Sequence, residues 1–396
     1  PGRQSNWMGI SAGFIGWSLD AYNFFVVVFL ITRLSNQFSV SKAAIVWTLT
    51  ATLALRPVGA FFFGLFGDRY GRRWSLIANI VCFTVLQVLC GFAPSYTTFL
   101  VLRALFGVSM GGEWGVGTSL AMETVPSRWR GLLSGVLQCG YSVGYLLAAV
   151  AARFILPAGG WRPMFWAGAL PAIVAIYICY KMQEPEAWRI HRAESSGAIL
   201  RTISGNLKAF IYLVVLMTLM MFCGHGAQDL YADFLESARH ILPHTVEMIA
   251  ILYSFGAILG AILFGELSQR AGRRIGMNCA LGLSLVAIPL WAFGHSVAML
   301  TLGAFLMQLG VNGAWGVIPA HLSELAPSSA RSLLPGLAYQ LGILFAAPTN
   351  TFLYVLRDHV GYSWAIGGFE LVMIVATIVV ISLGRERHGR DFMKAD

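Results

Sequence analysis

The sequence predicts an all-α membrane protein, with twelve transmembrane helices arranged as two pseudo-symmetric six-helix bundles. Three observations lead there. The 396-residue chain is 57% hydrophobic and 11% charged, with a mean hydropathy of +0.69, too apolar to be covered in water by its own polar surface. Apolar runs of about 20 residues recur along it, the length a helix needs to cross a bilayer with its backbone hydrogen bonds kept internal. Finally, the loop Gly67-Asp68-Arg69-Tyr70-Gly71-Arg72-Arg73 returns as Ser268-Gln269-Arg270-Ala271-Gly272-Arg273-Arg274, displaced by 201 positions.

The offset holds without a gap. Gly64 maps to Gly265, Trp114-Gly115-Val116 to Trp315-Gly316-Val317, Glu123 to Glu324, Pro126 to Pro327, Arg130 to Arg331 and Gly135 to Gly336. The chain thus reads as one unit of about 200 residues, duplicated. The twelve spans are expected at 8–32, 43–66, 74–92, 97–123, 131–156, 162–183, 209–234, 245–266, 275–294, 297–322, 332–356 and 363–384. Residues 1–183 would form the N-terminal bundle, 184–208 a cytoplasmic linker and 209–396 the C-terminal bundle.

Orientation follows from the loop lysines and arginines. With both termini inside, nineteen of the 27 basic residues fall on the inner side, six outside, and two, Arg56 and Arg103, within spans. The net charge of +9 is then mostly topology, and no nucleic-acid partner is needed to explain it. The first apolar run contains Asp20 and lacks a small-residue cleavage site, so it reads as a retained span; the leading proline reads as a trimmed N-terminus. The six cysteines fall inside spans and show no CxxC metal spacing or disulfide framework. The linker is basic and partly amphipathic, suited to the inner membrane surface. Glycines at small-xxx-small spacing, as at Gly107/Gly111/Gly115, Gly131/Gly135, Gly140/Gly144 and Gly256/Gly260, would let helix backbones approach closely.

Gly67–Arg73 after span 2, its degenerate copy after span 8, and Arg103 followed by Gly107 in span 4 resemble motifs of the major facilitator superfamily. The resemblance covers the whole chain. It implies two bundles around a central cavity that is exposed alternately to each side, with Asp68, Arg72 and the other loop arginines holding an inner gate. A narrower resemblance rests on His225-Gly226-Ala227-Gln228-Asp229, similar to the H-x-[ST]-Q-D core of the sialate/lactate proton-symporter branch. The stretches Gly16–Phe25, Leu55–Gly64 and Gln138–Ala149 are also similar to that branch. Met221, Gly224, Ala227 and Asp233 depart from its fuller pattern.

An ionisable group in mid-span costs about 2.5–3.5 kcal/mol on insertion scales, so each needs a reason. Arg56 has Ala257 as its repeat counterpart and so is not shared scaffold. A guanidinium can fork onto a substrate carboxylate; the alternative is a structural pair with Asp20 or Glu113. Asp20, opposite Met221 in the repeat and with Asn23 three residues on, could serve the proton or the substrate. His225, Gln228 and Asp229 form one helical stripe in the outer half of span 7, able to relay a proton, unless Asp229 merely ends a helix. Glu113 is either a second proton site or a partner of Arg56. Arg103 lies nearer the outer end, where it could snorkel to the interface, and only the resemblance gives it a functional part. Glu123/Arg130 and Glu324/Arg331 read as gate or scaffold pairs. Gln138, Tyr141 and Tyr145 share a face of span 5, Tyr339 and Gln340 stand in span 11, and Asn312 and Trp315 in span 10. All could line a wet cavity, and the resemblance singles out Tyr141 and Gln340 for substrate choice.

Gly107-Val108-Ser109-Met110-Gly111 matches a serine-hydrolase string, but inside a span it lacks the strand-to-helix turn that such a string needs. No enzyme is expected, and no metal or cofactor beyond the proton gradient as driving force. One-sided charges suit a carrier better than a pore, and the stretch Gly135 to Gly144 of span 5 has no proline, unlike the glycine motif that resemblance would imply for a drug antiporter. The expectation is a monomeric proton symporter in the cell (inner) membrane, importing a small organic anion such as lactate or pyruvate, with sialate as the runner-up.

Overall fold

The computed structural model describes residues 3–192 and 195–394, with side chains from residue 7 onward. The leading proline and two linker positions, Ala193 and Glu194, lie outside the described residues.

Helices α1 (Arg3–Phe38), α2 (Lys42–Tyr70), α3 (Arg72–Gly91), α4 (Tyr96–Thr124) and α5 (Arg130–Gly159) make the first five crossings. The sixth is made of α6 (Arg162–Ala167) and α7 (Ala169–Lys181). In the linker lie α8 (Glu186–His191) and α9 (Ser196–Gly205). The second half runs through α10 (Leu207–Gln228), the short α11 (Tyr231–Asp233), α12 (Pro243–Ala271), α13 (Arg273–Phe293), α14 (Val297–Leu325), α15 (Leu333–Ala346), α16 (Thr349–Val360) and α17 (Tyr362–Leu383). Among the described residues, eleven helical stretches are long and apolar enough to cross a bilayer.

The eleventh crossing corrects the sequence reading. A continuous span over 332–356 is expected, yet the helix breaks between Ala346 and Thr349. Pro348 explains the break: it has no N–H to donate, and its ring obstructs the preceding turn. Span 7 runs over Leu207–Ala238 and so covers the expected stretch, but is irregular at its far end. Regular helix stops at Gln228, and the chain continues through α11 into a wider turn at 234–238.

Duplication is visible in local chemistry. Ser95 caps α4 by accepting from the Thr98 amide at 3.2 Å, and its repeat twin Ser296 caps α14 by accepting from Met299 at 3.2 Å. The two repeated loops turn at Gly71 and Gly272, with φ of 128° and 102°, backbone angles that other residues rarely adopt. A carboxylate closes each loop: Glu184 accepts from the Arg73 amide at 3.1 Å, and Glu386 from the Arg274 amide at 2.9 Å. Burial pushes the Glu184 carboxyl up, against the pull of the Arg73 and Trp74 amides.

Glycines bring the backbones together. A Cβ on Gly111 would sit 1.8 Å from the Arg56 carbonyl oxygen of α2, and one on Gly260 would sit 2.0 Å from the Leu309 carbonyl oxygen of α14. Between the halves, a Cβ on Gly135 of α5 would lie 2.1 Å from the Ala261 carbonyl oxygen of α12. The outward faces carry unpartnered apolar side chains such as Leu383 and Val286, 81% and 75% exposed, as lipid-facing positions should.

Candidate transport cavity and gate

The two halves are tied together on the face that carries the repeated loops. Glu123 receives a fork from Arg72 of its own half, at 3.1 and 3.3 Å. It also pairs with Arg331 of the other half, at 2.9 Å. Glu324 mirrors it, with a fork from Arg273 at 2.9 Å for each bond and a pair with Arg130 of the first half at 3.0 Å. Each glutamate thus joins one arginine from each half. Asp68 bonds to Arg72 and, through its two oxygens, accepts from the Ser332 and Leu333 amides at 2.9 Å each. These amides open α15, where a helix N-terminus favours an anion. Gln269, the twin of Asp68, accepts from the Gly131 amide at 2.8 Å. The charged side chains here are buried, and each has its partner, as buried charge requires.

Away from this gate a cavity of about 550 Å³ lies between the halves. Trp17, Phe24, Phe25, Tyr141, Trp315 and Tyr339 give it aromatic walls. Arg56, Gln138, His225, Gln228, Asp229 and Asn312 add polar groups. Its floor is a ring stack across the halves: Trp114 on Tyr339, centroids 4.1 Å apart at 21°. Tyr339 also meets Trp17 at 6.1 Å and Trp315 at 5.9 Å, both edge-on.

Behind the Arg56 wall stands Asp20, fully buried, with Oδ2 3.7 Å from Arg56 Nη2. The separation leaves an ion pair without a hydrogen bond: both Asp20 oxygens, and Nε and Nη2 of Arg56, have no hydrogen-bond partner. Glu113 on α4 points at α1, where a Cβ on Gly16 would meet its Oε1 at 2.5 Å; Gly16 lies one turn before Asp20. Neither Glu113 oxygen has a hydrogen-bond partner. On the far wall His225 Nδ1 and Asp229 Oδ2 are 2.9 Å apart, and Asn350 donates to the same oxygen at 2.7 Å.

The cavity brings together Arg56, Gln138, Tyr141, His225, Asp229, Asn312, Trp315 and Tyr339 of the residues the sequence singles out. Asp20, Glu113, Arg103, Asn23 and Gln340 stand outside its lining. Asn23 is buried, with Oδ1 close to Gly168 at the α6–α7 break; Gln340 donates to the Gly111 carbonyl at 3.2 Å. Tyr145 packs on Phe25 and Phe29. Arg103 does not snorkel. It is fully buried, donates to Gln87 at 3.1 Å and to the Asn23 carbonyl at 3.4 Å, and lies over Phe106.

One mid-span carboxyl escaped the sequence reading. Glu370 of α17 is fully buried, and a Cβ on Gly226, next to His225, would meet its Oε1 at 2.0 Å. Its repeat counterpart is Ala169, so the asymmetry that marks Arg56 and Asp20 also marks Glu370. Among the described residues, no group of three or more His, Cys, Asp or Glu is placed to hold a metal.

The fold and site are those of a polytopic membrane transporter. Residues 13–232 match the Major Facilitator Superfamily and residues 231–386 match the Sugar (and other) transporter family; the chain belongs to the major facilitator superfamily. It is 30% identical to a probable 4-methylmuconolactone transporter of Cupriavidus pinatubonensis, over 96% of this chain and 90% of that one. It is 29% identical to a carboxylic acid transporter protein homolog of Saccharomyces cerevisiae, over 89% of this chain, and spans 62% of that protein's length. The sialic acid transporter NanX of Escherichia coli is 23% identical over 96% of this chain and 94% of its own. The solved proton:xylose symporter XylE superposes with a TM-score of 0.80 at 16% identity, covering 98% of each chain. That likeness concerns the fold.

Proposed function

We propose that this protein is a proton-coupled carrier that imports a small organic monocarboxylate across the cell (inner) membrane by alternating access. The observation that carries the reading is the Arg56–Asp20 pair, with Arg56 in the wall of the cavity and Asp20 buried behind it, 3.7 Å apart and without a counterpart in the second half. Arg56 is the cation a substrate carboxylate would meet, and Asp20 is its existing counter-ion. A proton on Asp20 frees the guanidinium for the substrate, so that one anion and one proton load together. The loaded site then carries the same charge as the empty one, and the electrostatic cost of moving it through a dry interior stays low. His225 and Asp229, on the wall farther from the gate, are the relay by which the proton enters. With the termini cytoplasmic, the closed gate is the inner one and the cavity faces outward.

Resemblance to the sialate/lactate proton-symporter branch supports lactate or pyruvate as the substrate. A specific observation favours a second reading, a ring-bearing or unsaturated acid: a three-carbon acid would leave most of the 550 Å³ empty, and six aromatic rings line the walls, where a flat apolar body would pack. Relatives named for 4-methylmuconolactone and for carboxylic acids accord with either, and one named for sialic acid keeps the third candidate in view. Thermal-shift screening of the purified chain against lactate, pyruvate, benzoate, muconate and sialate separates them, because a ligand that binds the folded state raises its apparent stability. Reconstituted vesicles then test coupling: uptake of the stabilising acid rises with an inward proton gradient, and gradient-independent uptake defeats the symport reading.

A further inference from the structure

The segment after α17 leaves the membrane helices and runs back over the gate. Its Phe392 is only 3% exposed. The ring lies against two guanidiniums, Arg130 at 3.7 Å and Arg331 at 3.9 Å. The two arginines belong to opposite halves, and each already makes a cross-half pair, with Glu324 and Glu123 respectively. Arg130 donates from the same Nη1 to Glu324 at 3.0 Å and to the Arg390 carbonyl at 2.9 Å. Arg390 in turn reaches the carbonyls of Glu324 at 3.0 Å and Ala326 at 2.8 Å, and Ser328 Oγ at 3.3 Å. Gly389 donates its amide to Glu324 at 3.3 Å, and His388 Nε2 lies 2.9 Å from the Gln269 carbonyl. Burial, joined by the neighbouring cations Arg331, Arg387 and Arg130, pulls Arg390 down to about 10, so the contacts on this guanidinium are made against an unfavourable environment.

We propose that residues 386–392 form a latch that closes over the gate from the loop face and must leave before that face can open. A ring attracts a guanidinium only within about 6 Å of its centre. Phe392 can satisfy Arg130 and Arg331 together only while the two halves are joined there. The ring therefore interacts with the closed state and not with the open one, and only such a differential contact can bias a conformational equilibrium. A segment that merely covered one bundle would touch one half; this one spans both, through the same two arginines that tie the halves to each other. The latch rests on alternating access but not on the identity of the substrate.

The test uses the full chain in lipid nanodiscs, in a cysteine-free background, with spin labels at Tyr70→Cys and Arg270→Cys, one on each half beside the repeated loops. Their distance distribution reports opening of the loop face without any substrate. Phe392→Ala and Arg390→Ala are each expected to raise the long-distance population at least about fivefold, while Phe392→Tyr, which keeps the ring, leaves it unchanged. Should Phe392→Ala fold poorly, Phe392→Leu keeps apolar volume without the ring's attraction for cations and is expected to give a smaller rise in the same direction. Unchanged distributions in Phe392→Leu and Arg390→Ala would overturn the latch. Failure of every tested acid to be transported would instead refute the carboxylate reading and leave the distance measurement standing.

Discussion

Glu123 of the first half and Arg331 of the second meet at 2.9 Å, and neither side chain is exposed. The duplicate pair, Glu324 and Arg130, meets at 3.0 Å. Glu and Arg spaced seven positions apart in each half thus exchange partners between the halves, so the duplication forms a two-fold clasp that exists only when the bundles touch on the loop face. Removing one member of a buried pair costs about 3–5 kcal/mol, because it leaves the other charge uncompensated. Glu123→Gln should therefore lower the thermal midpoint and expose the gate. With Ser119→Cys as reporter in a cysteine-free background, maleimide labelling of Glu123→Gln is expected to run several times faster than in the parent. Equal labelling rates would mean that the clasp does not hold the gate.

Arg56 tests the anion site. Lysine keeps the positive charge but is a point ammonium without the planar fork. Arg56→Lys should insert and fold, as judged by gel filtration, while initial uptake falls at least about tenfold, equivalent to roughly 1.4 kcal/mol of lost stabilisation. Transport at the parental rate would return Arg56 to a structural role.

Asp20 tests the proton. Asparagine preserves its shape and removes its charge, so Asp20→Asn mimics a site that is permanently protonated. Parental uptake should rise as the outside pH falls, since more protons are then available to load with each anion. In Asp20→Asn that rise should vanish, while exchange of labelled for unlabelled acid at equal pH persists, because exchange returns the loaded carrier without releasing a proton. A variant that keeps its pH dependence would move the proton to Glu113, to the His225–Asp229 pair or to Glu370.

The membrane class, the repeat and the ion-paired residues of the loop face were legible in the sequence because each rests on a one-dimensional signal: apolar length, a constant offset, recurring Glu and Arg. The cavity wall was half legible. Charge present in one half and absent from the other pointed to Arg56 in the wall, and to Asp20 and Glu113, which are buried outside the lining. The same comparison, applied to α17, points to Glu370 opposite Ala169. What the sequence hid depends on rotation about a helix axis. Asn23 lies three residues after Asp20, yet its side chain is directed to the α6–α7 break at Gly168. Gln340 follows Tyr339 by one position, about 100° around the helix, and so turns from the cavity to the Gly111 carbonyl. The exchange of partners between Glu123 and Glu324 could not be read either, since spacing says nothing about which bundle supplies the arginine. The break in span 11 was readable from Pro348, but hydropathy runs straight through it.

Gly135 offers a test of the seam between the halves. A Cβ there would stand 2.1 Å from the Ala261 carbonyl oxygen, and its neighbour Gly131 is as tight, at 2.5 Å from the Gly265 carbonyl oxygen. At Gly135 no side chain can yield, because the opposing atoms belong to the backbone of Ala261 and Ile262. Gly135→Val must therefore push α5 away from α12 on the loop face, and forced overpacking of this kind costs about 1–3 kcal/mol. Since the contact lies between bundles and not within one, the strain should act on the gate more than on either bundle's fold. The variant is expected to insert at near-parental yield, to shift the Tyr70–Arg270 label distance toward longer values, and to lose most net uptake, because the face that carries the repeated loops can no longer close. Collapse of yield with no change in distance among the surviving molecules would assign Gly135 to folding within the first bundle instead.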